Sequence, residues 1–254
     1  MTKEIFSVWE GVYGRFKEVK GDLGVFESDH WLNRQKEKLQ RALKDFESQV
    51  SYCKDYPLPI VVAMLIGKRY GGGGAKLKVF DFGGGVGLQY LDLIAKVPLA
   101  EQLVEYTILD NQRTIDTACG CMRQFENLKF LADISEGEAD IVHMGSSLQY
   151  VEDWQDLLTK LNKIYKPSYF VFSDLLAGNT PSFVSSQIYF GKKIPNKFLN
   201  IEEFTGFLKG LGFQVSFRSK FMRVILNQDQ IFPNHALPSS HRIDRAVNLI
   251  CHRQ

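Results

Sequence analysis

Asp81-Phe82-Gly83-Gly84-Gly85-Val86-Gly87 sets alternate glycines behind one acid, between a strand-like run from Leu77 to Phe82 and a segment from Leu88 to Ala95 with apolar residues at helical spacing. The glycines therefore occupy a strand-to-helix turn. Glycine bends the chain sharply there and removes the side chains that would keep a ligand away from the main-chain N–H groups of the helix start. The chemistry on offer is recognition of a nucleotide-like ligand. A dinucleotide site needs G-x-G-x-x-G in such a turn, and counting from Gly83 puts Leu88 where the third glycine belongs.

D-x-G-x-G-x-G is instead the usual spelling of an S-adenosylmethionine site, so methyl transfer is the leading expectation. Asp81, Phe82, Gly83, Gly84, Gly85 and Gly87 are then cofactor contacts, cradling the methionine moiety rather than a pyrophosphate. A nicotinamide-dependent reductase and a tight turn in some other α/β protein are the alternatives for the turn taken alone.

The elements that must position this turn follow from periodicity. Beyond the four-glycine break Gly71 to Gly74, strands alternate with helices: Tyr106 to Leu109, Leu128 to Leu131, Asp140 to Met144 and Tyr169 to Ser173 read as strands. Asp153 to Tyr165 is the clearest helix between them, with Trp154, Leu157, Leu158, Leu161 and Ile164 in one apolar stripe. A helix from Glu202 to Leu211 leads into a strand from Phe213 to Arg218, and Ala246 to Cys251 supplies a last strand. The pattern predicts an α/β fold, a Rossmann-like, mostly parallel sheet of about seven strands over residues 76–254. Residues 1–75 read as a helical amino-terminal cap, with helices from Trp31 through Val50 and from Leu58 to Arg69.

Ligands of open α/β sheets bind at the carboxyl ends of the strands. The second strand ends in Asp110-Asn111, and a carboxylate there can accept both ribose hydroxyls of an adenosine; it is also a common helix cap. The third ends in Asp133-Ile134, where the acid suits the adenine amino group and Ile134 its ring, against a plain turn reading. After the fourth strand, Ser146, Ser147, Gln149 and Tyr150 are placed beside the sulfonium, Ser146 toward the cofactor and the others toward the acceptor. In-line methyl transfer depends largely on holding the nucleophile near the methyl group, and an alcohol nucleophile needs a general base. Asp174, after the fifth strand, is the first candidate; His143 is the second, against a satisfied core histidine.

Composition narrows the alternatives. The 254 residues carry 31 basic and 29 acidic side chains, net charge +2, with no long single-sign block, so no nucleic-acid partner is expected. The longest apolar stretch, Leu58 to Ile66, is about half a bilayer span, and the first residues lack an apolar signal core, so a cytoplasmic location is the default. Cys53, Cys119, Cys121 and Cys251 lack paired metal spacing. The fourth strand ends in Met144-Gly145, without the carboxylate a Mg²⁺-dependent catechol-type enzyme needs, and no metal is expected. The loop also lacks the Pro-Pro-Tyr or Pro-Cys of enzymes that methylate DNA bases.

Residues 76–254 resemble the class I S-adenosylmethionine-dependent methyltransferases. A narrower likeness covers nearly the whole chain. Trp9-Glu10-Gly11-Val12-Tyr13, Tyr56-Pro57-Leu58-Pro59, the Asp81 to Gly87 turn, Ser146 to Asp153 and Phe183-Val184-Ser185-Ser186-Gln187 are similar, in order, to motifs of a bacterial methyltransferase family often associated with surface-polysaccharide loci. The resemblance implies cofactor contacts at Asp81, Gly83, Gly85, Gly87 and Asp110, and a small-molecule or saccharide acceptor. It also implies that Trp9, Tyr13 and Gln187 fold over the site as a lid, Tyr13 and Gln187 touching the acceptor; the plain reading makes Trp9 and Tyr13 core anchors. The chain departs from that family at Leu175, where Arg is usual and would anchor an anionic substrate, and at Gly85, where Ser is common. A non-catalytic binding protein on the same fold is the alternative of a different class.

Overall fold

The computed structural model describes residues 7–21, 23–47, 56–70, 75–97, 99–189, 191–222, 224–225, 228–229 and 232–254. The glycine break at 71–74, Cys53 and the last residues of the first expected helix lie outside them.

Strand β1 (Trp9–Tyr13) opens the chain, followed by helices α1 (Asp29–Glu47) and α2 (Leu58–Tyr70). The core then alternates: β2 (Leu77–Phe82), α3 (Leu88–Lys96), the short α4 (Ala100–Leu103), β3 (Val104–Leu109), α5 (Gln112–Met122), β4 (Leu128–Leu131), β5 (Ile141–Gly145), α6 (Trp154–Tyr165) and β6 (Tyr169–Leu175). Next come β7 (Ala177–Gly178), β8 (Phe183–Tyr189), β9 (Lys192–Asn200), α7 (Ile201–Gly210), β10 (Phe213–Lys220), the hairpin β11 (Val224–Ile225) and β12 (Gln228–Asp229), and β13 (Val247–Arg253).

The central sheet has seven strands in the order β10-β13-β6-β5-β2-β3-β4. β2, β3, β4, β5 and β6 run parallel, and β13 is antiparallel to both of its neighbours. Helices cover both faces, so strands such as β5 are buried along nearly their whole length and read as continuous apolar runs. One core layer packs α1, α2, α3 and α5 on the sheet, and the other packs α6 and α7. Four residues of α6, Trp154, Leu158, Leu161 and Tyr165, are buried at helical spacing, which is why that helix was the most legible. The chain winds outward from β2 to β4 and returns to β5 on β2's other side, leaving a crevice at the carboxyl ends of β2 and β5.

A second sheet, in the order β1-β8-β9-β7, was not expected. The amino-terminal cap is thus mostly helical but carries one strand, and Trp9 pairs with Gln187 and Tyr13 with Val184 of β8. The segment 175–200 escaped a strand reading because its buried positions include Ser185, Ser186, Gln187 and Asn196, so no polar/apolar alternation marks it.

Trp9 is a core anchor. It is 1% exposed, stacks on Phe232 at 4.7 Å and meets Phe198 edge-on at 5.6 Å. Trp9→Ala should therefore cost about 3–5 kcal/mol, read as a lower midpoint in urea unfolding. A loss under about 1 kcal/mol, the level of an ordinary substitution, would show that this contact does not fasten the extension.

Candidate functional site

Asp81 is the buried centre of the site. It stands on β2 opposite His143 of β5 and is 1% exposed. Its Oδ1 lies 2.7 Å from His143 Nδ1, its Oδ2 accepts from the Tyr106 hydroxyl at 2.7 Å, and His143 Nε2 is 3.1 Å from Ser173 Oγ. A buried carboxylate stays only where such partners surround it. Burial, then the neighbouring Asp81 charge, pushes the Tyr106 phenol well above its ordinary pKa and keeps it a donor.

This carboxylate shapes the glycine turn. A Cβ at Gly84 would lie 2.5 Å from Asp81 Oδ2, and one at Gly83, where φ is +67°, would lie 2.6 Å from Ser147 Cβ. Gly85 is different: its φ of +61° favours glycine, but a Cβ there would meet nothing within 4 Å. The cradle is thus closed behind Gly83 and Gly84 and open at Gly85. Gly87, φ +89°, caps α3.

Asp110, at the end of β3, braces the same turn. Its Oδ2 accepts from the Gly85 N–H at 2.8 Å, while Oδ1 accepts from the Asn111 N–H at 2.8 Å and from Asn111 Nδ2 at 2.9 Å. A carboxylate has about four lone-pair sites, so Oδ2 keeps one for a ligand hydroxyl. Two ribose hydroxyls held at once would need the Asn111 side chain to yield. Burial raises the Asp110 pKa, and the Asn111 and Gly85 N–H groups oppose that rise. Asn111 Oδ1 also caps α5 through the Thr114 N–H at 3.0 Å.

Two non-glycine residues at adjacent strand ends take left-handed backbone. Ser146, after β5, has φ +55°, and Asp174, on β6, has φ +54°. The Ser146 hydroxyl donates to Asp174 Oδ2 at 2.5 Å, and the Asp174 N–H donates to Asn248 Oδ1 at 3.1 Å. Such conformations cost about 1–3 kcal/mol each and gather at functional sites.

A cavity of about 700 Å³ opens over these groups. Of the residues expected at the site, Asp81, Phe82, Gly83, Gly84, Gly85, Asp110, Asn111, His143, Ser146, Ser147 and Tyr150 all line it. The others stand apart from its wall. Asp174 is one step behind Ser146; Gln149 is buried beside Tyr150; Gly87 caps the helix; Tyr13 is half-buried in β1. Asp133 is exposed and Ile134 half-buried, and neither lines the cavity. Gln187 acts through Tyr150, since its Oε1 accepts from the Tyr150 hydroxyl at 3.0 Å and from Asn196 Nδ2 at 2.9 Å.

The opposite wall comes from residues that the motifs did not mark. Phe26, Trp31 and Tyr189 join Tyr150 in an aromatic cluster: Phe26 meets Tyr150 edge-on at 4.8 Å and Trp31 at 5.6 Å, and Trp31 Nε1 donates to the Tyr189 hydroxyl at 3.4 Å. Gln35, Lys38 and Arg41 of α1 continue that wall. The only sequence signal was the mixture of aromatics and charges in the extension. Among the described residues no group of His, Cys, Asp and Glu is arranged to hold a metal, and no helix is long and apolar enough to cross a membrane.

No protein-family model matches the sequence, and no curated protein matches it. Solved structures do match its fold. A Listeria monocytogenes protein assigned as an S-adenosylmethionine-dependent methyltransferase is 15% identical, with a TM-score of 0.51 over 71% of this chain and 92% of that one. A glycopeptide N-methyltransferase in complex with S-adenosylhomocysteine is 10% identical, with a TM-score of 0.51 over 76% of this chain and 90% of that one. At these identities the likeness speaks to architecture: this chain has the class I methyltransferase fold.

Proposed function

We propose that this protein is an S-adenosylmethionine-dependent methyltransferase acting at oxygen on a small-molecule or saccharide-type acceptor, without a metal, in the cytoplasm. The observation that carries the reading is the convergence of an open glycine cradle at Gly85, the Asp110 carboxylate and an aromatic wall on one cavity. Its volume of about 700 Å³ falls within the roughly 300–1,000 Å³ of small-molecule sites. Two solved structures with TM-scores of 0.51 are methyltransferases by description, one of them bound to S-adenosylhomocysteine, which supports the same reading.

When bound, the cofactor supplies a methyl group that is open to in-line displacement. The chain's residues hold and orient around it. The turn at Gly83–Gly85 admits close approach of the ligand to main chain, and Asp110 Oδ2 accepts one ribose hydroxyl. Tyr150 and Tyr189 offer ring faces that pack on a flat acceptor or on the C–H face of a sugar, and Gln187 with Asn196 fixes the Tyr150 hydroxyl. An acceptor hydroxyl at Ser146 Oγ would give its proton to that oxygen as the Ser146 proton moves to Asp174. His143 has both ring nitrogens engaged and is 1% exposed, so it serves to hold Asp81.

A non-catalytic binding protein is the second reading, favoured by Asp174 standing behind Ser146 rather than on the cavity wall.

Calorimetry decides the cofactor first. S-adenosylmethionine and S-adenosylhomocysteine should bind with micromolar Kd and NADH should not, and Asp110→Ala should weaken both by at least about tenfold, the scale of a lost charge-assisted hydrogen bond. NADH binding, or silence from both adenosyl compounds on folded protein, would sink the reading.

Turnover separates enzyme from binding module once a screen of nucleotide sugars and small phenols finds an acceptor. Asp174→Asn and Ser146→Ala should each slow methyl transfer by about 10²–10⁴-fold while S-adenosylhomocysteine affinity stays within about twofold, the split expected of a group needed only for the chemical step. Wild-type rates in both variants would remove the relay.

A further inference from the structure

One arm of the cavity has no part in the methyl-transfer chemistry above. It runs between α1, which contributes Gln35, Lys38 and Arg41, and α3, which contributes Gln89 and Asp92. Positions 35, 38 and 41 recur at three-residue spacing, so they share one side of α1.

The arm holds the cations Lys38 and Arg41 and the Gln89 amide beside one carboxylate. Gln89 Nε2 is closed off from solvent and has no hydrogen-bond partner. Arg41 enters no ion pair among the described residues. The one carboxylate in the arm, Asp92, is bound to Lys96 at 2.9 Å. The two deeper carboxylates are engaged as well, Asp81 by His143 and Tyr106, and Asp110 by Gly85 and Asn111. A buried amide donor without an acceptor is unfavourable, and a guanidinium is built to take an oxyanion through paired N–H groups.

We infer that Lys38, Arg41 and Gln89 form an anion subsite that takes a carboxylate or phosphate group of a ligand seated in the cavity. The inference rests on the methyltransferase reading, and it admits two sources of that anion. One is the amino-acid carboxylate of the cofactor, whose methionine end the neighbouring glycine turn would hold. The other is an anionic group on the acceptor, which would restore from α1 the cation that Leu175 does not supply after β6.

The test uses three probes on full-length protein: S-adenosylhomocysteine, 5′-methylthioadenosine, which keeps the adenosine and sulfur but has no carboxylate, and pyrophosphate added to S-adenosylhomocysteine-loaded protein. Arg41→Gln and Lys38→Gln change exposed side chains, and thermal melts confirm that each variant is folded. Arg41→Gln should weaken one anionic probe by at least about tenfold and leave 5′-methylthioadenosine within twofold. Loss on S-adenosylhomocysteine assigns the subsite to the cofactor's carboxylate. Loss on pyrophosphate, with S-adenosylhomocysteine unchanged, assigns it to the acceptor's anion. Unchanged affinity for S-adenosylhomocysteine in both variants, together with unchanged or absent pyrophosphate binding, overturns the subsite. If wild-type protein binds neither adenosyl probe, the methyltransferase reading has failed instead, and the pyrophosphate titration still decides whether the anion site exists.

Discussion

A single buried carboxylate beneath the cavity, Asp81, sets the terms for the rest of this structure. Charge in that position is tolerated only because donors reach it from both sides, Tyr106 from β3 and His143 from β5. Those two strands are the immediate neighbours of β2, so one ionised group ties the three central strands in register. A slip of one residue would turn His143 away and leave the charge unanswered. The same carboxylate excludes a side chain at Gly84, and the turn that follows has to fold tightly over it. One residue further on, the turn is held by Asp110, which accepts from the Gly85 N–H.

Strain collects where that rigid centre meets the ligand side. Ser146 and Asp174 sit at the ends of neighbouring parallel strands, both in left-handed backbone and bonded to each other. The Asp174 N–H is held in turn by Asn248, at the start of β13, the antiparallel strand on the far side of β6. The conformation is thus maintained by the sheet as a whole rather than by the loops alone. A hydroxyl pinned in this way presents its oxygen to the cavity with little freedom, which suits a reaction that depends on placement more than on strong acid–base assistance.

The part of the site that could be read in the sequence is the part built by local rules. The acid and glycines of the turn, Asp110-Asn111 at the end of β3 and Ser146-Ser147 after β5 are each fixed by a strand end, and strand ends show in apolar periodicity. The aromatic wall followed no such rule. Phe26 lies in a short 3₁₀ turn, Trp31 on α1 and Tyr189 at the end of β8, and only tertiary packing brings them to Tyr150. The second sheet was hidden for a related reason. Its buried positions carry Ser185, Gln187 and Asn196, each of which makes a side-chain hydrogen bond, and a polar interior looks like a loop to any argument from hydropathy. Asp133 is exposed and does not line the cavity, so its place after a strand does not by itself bring it to the groups gathered there.

The division between these two halves bears on how the fold is put to use. The glycine turn, Asp110 and Ser146 lie within residues 81–146 and depend on the central sheet. The aromatic wall joins Tyr150 to residues of the amino-terminal extension and of β8, and those last two are linked where β1 pairs with β8 and Trp9 enters the core. Changes at that junction can therefore reshape the aromatic wall while leaving Asp81, its partners and the glycine turn as they are.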